Sequence, residues 1–386
     1  MSLNLPDPLA LPGGGRALTS TQWNEVCRPA LSALIQREEY GQIPSAPGQL
    51  RATVVRTDRN ALDGCGTLRE IDIDTTSPDA HIELLLITPN AATTPAGCFL
   101  GLNFGGNHRI LPDAAIRPQL AKRVSGADVE AERGTETGTW PAAAIIARGY
   151  ALATFFNGDA VPDDKYTAAQ RLAGFLPPGV EPDGGDAPAT IACWAWSLSR
   201  AIDFLSNDGA VDAKRIALAG HSRNGKTALL AGAMDPRAAL VISSQSGCGG
   251  AGPSRDLGNE WSQRETVQQI NTAFPHWFCA NFKQYNASPD KLPFDQHALI
   301  ALCAPRPVLV SSATEDLWAN PAGSFAMLNA ADPVYRLVSG EGIDVHEMPE
   351  TGVLLKTRLG HFIRPGRHAM TTEDWSAWLD YADAWL

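Results

Sequence analysis

The chain lacks a basic surface signature, a long apolar run and any patterned cysteine, and each absence narrows what it can do. Lys and Arg number 31 against 42 Asp and Glu, a net charge of −11 over 386 residues. A nucleic-acid partner, which needs clustered cations, is therefore not expected. No apolar stretch approaches the length that spans a bilayer, so no membrane partner is expected either. The opening Met1-Ser-Leu-Asn-Leu-Pro-Asp-Pro8 has neither a charged n-region nor an apolar h-region. This fits a secreted or periplasmic chain whose signal peptide is absent from the sequence, the reading taken here, and leaves a cytoplasmic one open. The seven cysteines (27, 65, 98, 193, 248, 279 and 303) form no C-x-x-C pair and no ligand spacing. No metal and no other cofactor is expected, and the odd count leaves at least one thiol unpaired within a monomer. Internal repeats, low-complexity tracts and domain linkers are absent too.

What is present reads as a loop-rich globular enzyme: 44% hydrophobic residues with 35 Gly and 28 Pro. A Pro- and Gly-rich lead-in, residues 1–45, contains a helix from about Thr21 to Glu39. Alternating runs at 51–56, 69–74 and 81–88 predict antiparallel edge strands. From Cys98 the pattern changes to buried apolar strands separated by helices: 98–103, 149–155, 215–219, 239–243 and 307–312. That alternation predicts a mostly parallel central sheet with helices on both faces, within a single domain spanning 1–386. Residues 246–300, poor in strands, read as an insertion over the carboxyl ends of the strands, where such sheets bind ligands.

One stretch carries most of the chemistry. Arg215-Ile-Ala-Leu-Ala-Gly220 runs into His221-Ser222-Arg223-Asn224-Gly225-Lys226 and then a helix. A serine on a tight turn between strand and helix is the nucleophile elbow of the α/β-hydrolase fold. The usual second glycine is displaced here: Asn224 holds its place and Gly225 follows. Chain order in that fold is serine, acid, histidine. After strand 307–312 comes Glu315-Asp316-Leu-Trp318, which offers the acid. His361 and His368 are assigned to one loop before a final helix at about 372–386. His368, preceded by Pro365-Gly366 and free to swing, is chosen as the base ahead of His361. His346 is assigned to an edge strand at 344–348. Asn103-Phe-Gly-Gly-Asn107-His108 reads as a plain turn or as a loop giving a second oxyanion donor.

The ordered set Gly220-His-Ser-Arg-Asn-Gly-Lys226, Ser246-Gly-Cys-Gly-Gly250, Glu265-Thr-Val with Phe274-Pro-His-Trp-Phe278, Leu292-Pro-Phe-Asp-Gln-His297, Glu315-Asp-Leu-Trp318 and Ile363-Arg-Pro-Gly-Arg-His368 resembles the bacterial glucuronoyl esterases, carbohydrate esterase family 15. The likeness runs from about Leu5 to the C-terminus. It implies Ser222 as nucleophile, Arg223 as oxyanion partner, and Lys226, Glu265 and Trp318 as contacts to the sugar. Many members carry a catalytic glutamate where this chain has Gln245. The acid is then Asp316, with Glu315 as fallback, and a carboxylate restored at 245 should face the histidine from its other side.

The implied reaction is hydrolysis of esters of glucuronic acid, often 4-O-methylated, as in linkages between glucuronoxylan and lignin. The expected partner is such a lignin–carbohydrate ester, and the expected state a monomer. Two alternatives remain at this stage: an acetyl xylan esterase or other carbohydrate deacetylase using the same triad, and a non-catalytic carbohydrate-binding protein on a hydrolase fold.

Overall fold

In the computed structural model, residues 4–76, 79–119, 129–176, 179–181, 184–258 and 263–386 are described. Nine strands form one sheet in the order β1-β2-β3-β5-β4-β6-β7-β8-β9. The first three, β1 (Leu50–Ala61), β2 (Gly66–Thr76) and β3 (Asp79–Pro89), are antiparallel neighbours, and β3 also meets β5 antiparallel. β4 (Ala96–Asn103), β5 (Ala151–Phe156), β6 (Val211–His221), β7 (Leu240–Ser244), β8 (Val308–Ala313) and β9 (Leu359–Arg364) all run parallel. This is the α/β-hydrolase architecture, with the antiparallel strands at its N-terminal edge.

The period-2 alternation of the strands divides their side chains between two cores. Cys98, Leu100 and Leu102 of β4 and Ile216 and Leu218 of β6 enter one cluster. Phe99, Ala217 and Ala219 enter the other. The first cluster packs on a helical run at 20–40 (α1), on α3 (Thr190–Leu205), α4 (Arg223–Met234) and α7 (Pro321–Ser339). The second packs on α2 (Ala142–Ala147) and α8 (Thr372–Trp385), whose Trp375 and Trp378 are buried. Both faces are thereby covered, as a sheet of buried parallel strands requires.

Three expectations need correction. His361 lies in β9, a strand the sequence hides because its polar residues are buried; it does not share a loop with His368. Residues 344–348 form no strand. The stretch 246–300 is not insertion throughout: after α5 (Val267–Ala273), its last helix, α6 (Gln296–Ala301), is buried at every position and belongs to the core. All seven cysteines are free thiols, and only Cys65 is exposed. Among the described residues, no helix is long and apolar enough to cross a membrane.

Candidate active site

Ser222 sits between β6 and α4 with φ 59° and ψ −128°, a conformation that L-residues avoid and that turns the side chain off the sheet end. The turn closes because two glycines meet beneath it. A Cβ on Gly220 would lie 2.0 Å from the Asn224 carbonyl oxygen, and one on Gly225 2.9 Å from that of Ser244. Asn224 stands in the usual glycine place because its amide is used: Nδ2 donates to the Leu102 carbonyl at 2.9 Å, tying the elbow to β4. The Ser222 N–H donates to Ser244 of β7. Arg223 begins the helix, where a backbone N–H has no intrahelical acceptor and is available to an oxyanion.

His368 follows β9 and Asp316 follows β8, so both come from the same sheet end as Ser222. Imidazole Nδ1 lies 2.6 Å from Asp316 Oδ2, and the ring packs on that of His221 at 4.5 Å between centroids. Asp316 is buried and also accepts from the Ala319 N–H. Burial, followed by the neighbouring His368, Arg364 and Arg223, holds the His221 imidazole well below its ordinary range, so it stays neutral. The structure does not bring Glu315 to the imidazole: its carboxylate is exposed and pairs with Arg367 at 3.5 Å. His361 is excluded from the chemistry by position. It is fully buried, neither ring nitrogen has a hydrogen-bond partner among the described residues, and desolvation pushes it down to about 4.

The loop carrying His368 is not free to swing. Buried Arg364 donates to the carbonyls of Pro365, Arg367 and Ala369, at 2.8, 3.0 and 2.6 Å, while its Nε is held by Asp374 at 2.7 Å. Gln245, at φ 47°, adds a second clamp. Its Nε2 donates to the Ala369 carbonyl at 2.8 Å and its Oε1 accepts the Ala369 N–H at 3.1 Å. The side chain thus holds the backbone beside the histidine, and both ends of its amide are in use.

Arg223 is fixed by Asp163, which no motif announces, and by aromatic rings from the Phe274–Phe278 and Asn103–His108 segments. Its guanidinium bonds Asp163, from the loop after β5, and lies 4.8 Å from the Trp277 ring centroid, 5.5 Å from Phe104 and 5.6 Å from Phe274. Asp163 is bonded in turn by His276 at 3.1 Å and by the Trp277 indole at 2.7 Å. Burial pushes its carboxyl upward, but those bonds and the Arg223 charge outweigh it and hold it below the ordinary range. The glycine loop 103–108 contributes Phe104 to this cage, while its Gly106 N–H is taken by Asn103.

Lys226, one turn along α4, is 3% exposed. Its ammonium donates to the carbonyls of Ser246 and Cys248, which anchors the 246–250 loop, and lies 3.7 Å from Glu265. Trp318 is 48% exposed, and its carbonyl accepts the Glu265 N–H at 2.9 Å. The backbone of a residue with an open indole is therefore tied to the buried lysine–glutamate pair. The described group spaced to hold a metal ion, Asp72, His81 and Glu83, lies on the antiparallel strands β2 and β3. It carries its own counter-charges: Arg117 bonds Asp72, and the Glu83 hydrogen bond outweighs burial and helps raise His81 to about 9.

Residues 181–339 match the family model of the fungal glucuronyl esterases. The chain is 40% identical to a carbohydrate esterase from an unknown prokaryotic organism, over 98% of this chain and 89% of that one. It is 28% identical to 4-O-methyl-glucuronoyl methylesterase 1 of Wolfiporia cocos, over 90% of this chain and 75% of the relative. The solved structure of a glucuronoyl esterase from Solibacter usitatus superposes with a TM-score of 0.89 at 35% identity, covering 100% of this chain and 98% of that one.

Proposed function

The chain belongs to the glucuronoyl esterases of carbohydrate esterase family 15, and from that premise we propose how its own residues hydrolyse an ester of glucuronic acid. The observation that carries the reading is the convergence of a strained serine, an aspartate-bound histidine and a caged arginine at one sheet end. His368 Nε2, with Nδ1 held by Asp316, takes the proton from Ser222 Oγ as it attacks the uronate carboxyl carbon. The oxyanion is met by the Arg223 backbone N–H and by its guanidinium, a charge already positioned before the reaction begins. His368 then returns the proton to the leaving alcohol, and water repeats the sequence on the acyl-enzyme.

The sugar half fits the remaining features. Trp318 offers an open ring face for a pyranose. The 3.7 Å between Lys226 and Glu265 is longer than a hydrogen bond, and a sugar hydroxyl placed there would accept from the ammonium and donate to the carboxylate. The substrate proposed is a (4-O-methyl-)glucuronate ester on xylan. A non-catalytic reading rested on Gln245; the clamp on Ala369 gives that residue a role in an active site. The test is hydrolysis of methyl and benzyl glucuronate against an acetyl ester. Ser222→Ala should lose at least about a thousandfold in kcat with an unchanged melting curve, and a preference for the acetyl ester would overturn the substrate assignment.

A further inference from the structure

A second cavity, of about 280 Å³, lies behind the loop that carries Asp316 and Trp318. Arg264, Leu317, Asn320, Met348, Thr351 and Ile363 are among the residues that line it. It shares a wall with the candidate active site: the Glu265 N–H bonds the Trp318 carbonyl, Glu265 faces Lys226, and the preceding Arg264 lines the cavity.

Arg264 is only 7% exposed, yet among the described residues its guanidinium, the buried Nε included, makes no hydrogen bond. Among the described residues, it pairs only with solvent-facing Asp256, at 3.8 Å. Asn320 Nδ2, on the same cavity wall, is also buried and unpartnered, while its Oδ1 caps α7. Two other buried arginines have several acceptors each. Arg255 donates to three backbone carbonyls and to Asp295, and Arg364 to three carbonyls and Asp374. A largely buried cation with no hydrogen-bond acceptor among the described residues and only a long ion pair is costly, and such a group calls for an explanation, of which a bound occupant is one.

We propose that this cavity binds a small carboxylate on an apolar body, of the arylcarboxylate class. The guanidinium fork matches a carboxylate in two parallel bonds. Leu317, Met348, Ile363, Pro321 and Ala322 supply apolar walls for a ring. The volume lies at the lower edge of the usual pocket range, which suits one ring and excludes an oligosaccharide. The proposal does not depend on the ester chemistry above.

The experiment is calorimetric titration of the wild-type protein with benzoate, alongside benzamide and the Arg264→Met variant. Wild type should bind benzoate saturably and should bind benzamide at least about tenfold more weakly. Arg264→Met should lose about tenfold or more in benzoate affinity, and added glucuronate should not displace benzoate. No saturable binding by wild type, equal binding by Arg264→Met, or displacement by glucuronate would each overturn the proposal. A melting curve supplies a check that needs no ligand. Replacing a buried cation that makes no hydrogen bond to the described residues with an apolar chain of similar length should leave the free protein as stable or more so. A drop of several degrees would show that the guanidinium already has its partner.

Discussion

Replacing Asp316 by Asn tests the site at its most exposed assumption, that one carboxylate serves the base. The 2.6 Å contact puts the charge centres of Asp316 and a protonated His368 about 4 Å apart, worth ~4 kcal/mol at an effective dielectric near 20. The half-exposed imidazole is screened by solvent, which lowers this toward ~2 kcal/mol. At about 1.4 kcal/mol per tenfold, charge alone accounts for a loss of roughly thirty- to a thousandfold. Geometry adds to it. If the new amide keeps its oxygen on the Ala319 N–H, its NH2 faces Nδ1 and drives the proton to Nε2, where it blocks the base. The total expected is about 10² to 10⁴ in kcat with KM little changed, measured on methyl and benzyl glucuronate with melting curves as controls. Glu315→Gln should stay within a few-fold of wild type. A loss below tenfold for Asp316→Asn, with Glu315→Gln severe, would refute the assignment. Adding Gln245→Glu should not rescue Asp316→Asn, because a carboxylate there would face the Ala369 carbonyl now bonded by the amide; a recovery above tenfold would show that position 245 reaches the imidazole after all.

Three further outcomes follow from named contacts. Trp318→Ala should raise KM for glucuronate esters by about tenfold while leaving hydrolysis of a small activated acetate nearly unchanged; equal losses on both would make the indole structural. Asp163→Asn keeps the shape but removes the counter-charge of Arg223, and should lower kcat by about ten- to a hundredfold with little change in KM, as split by steady-state kinetics. Glu39 is fully buried against Gln296, and burial raises its carboxyl to about 8. The folded state therefore keeps a proton that the unfolded chain releases near 4.5, so stability should fall as pH rises from about 4.5 to about 8. Glu39→Gln should flatten that slope in thermal melts recorded across the range, and an unaltered slope would refute the burial argument.

What the sequence disclosed is what neighbouring residues or strand order dictate. Gly220 and Gly225 mark the elbow because the backbone there leaves no room for a Cβ, so the constraint is written within six positions. Asp316 is singled out by lying just past the strand at 307–312, since in a parallel sheet every strand ends on the same side. His368 is chosen differently, as lying beyond the last recognised strand, after Pro365-Gly366 and before the final helix. The remainder depends on contacts between distant segments. Asp163 reaches Arg223 across 60 positions and Arg364 reaches Asp374 from strand to helix, and neither pair has a spacing that announces it. β9 was hidden for a related reason. Its polar residues, His361 and Arg364, are buried, one as a neutral ring against Phe325 and one as the clamp on the histidine loop, so periodicity fails where the core is polar. Lys226 makes the same point from the other side. The family resemblance implied a sugar contact for it, and the fold also directs its ammonium into two backbone carbonyls. Lys226→Ala should therefore lower the melting temperature as well as impair glucuronate ester turnover, since it leaves the Ser246 and Cys248 carbonyls buried without a donor. A variant that loses turnover while melting like wild type would return Lys226 to a role in the sugar pocket alone.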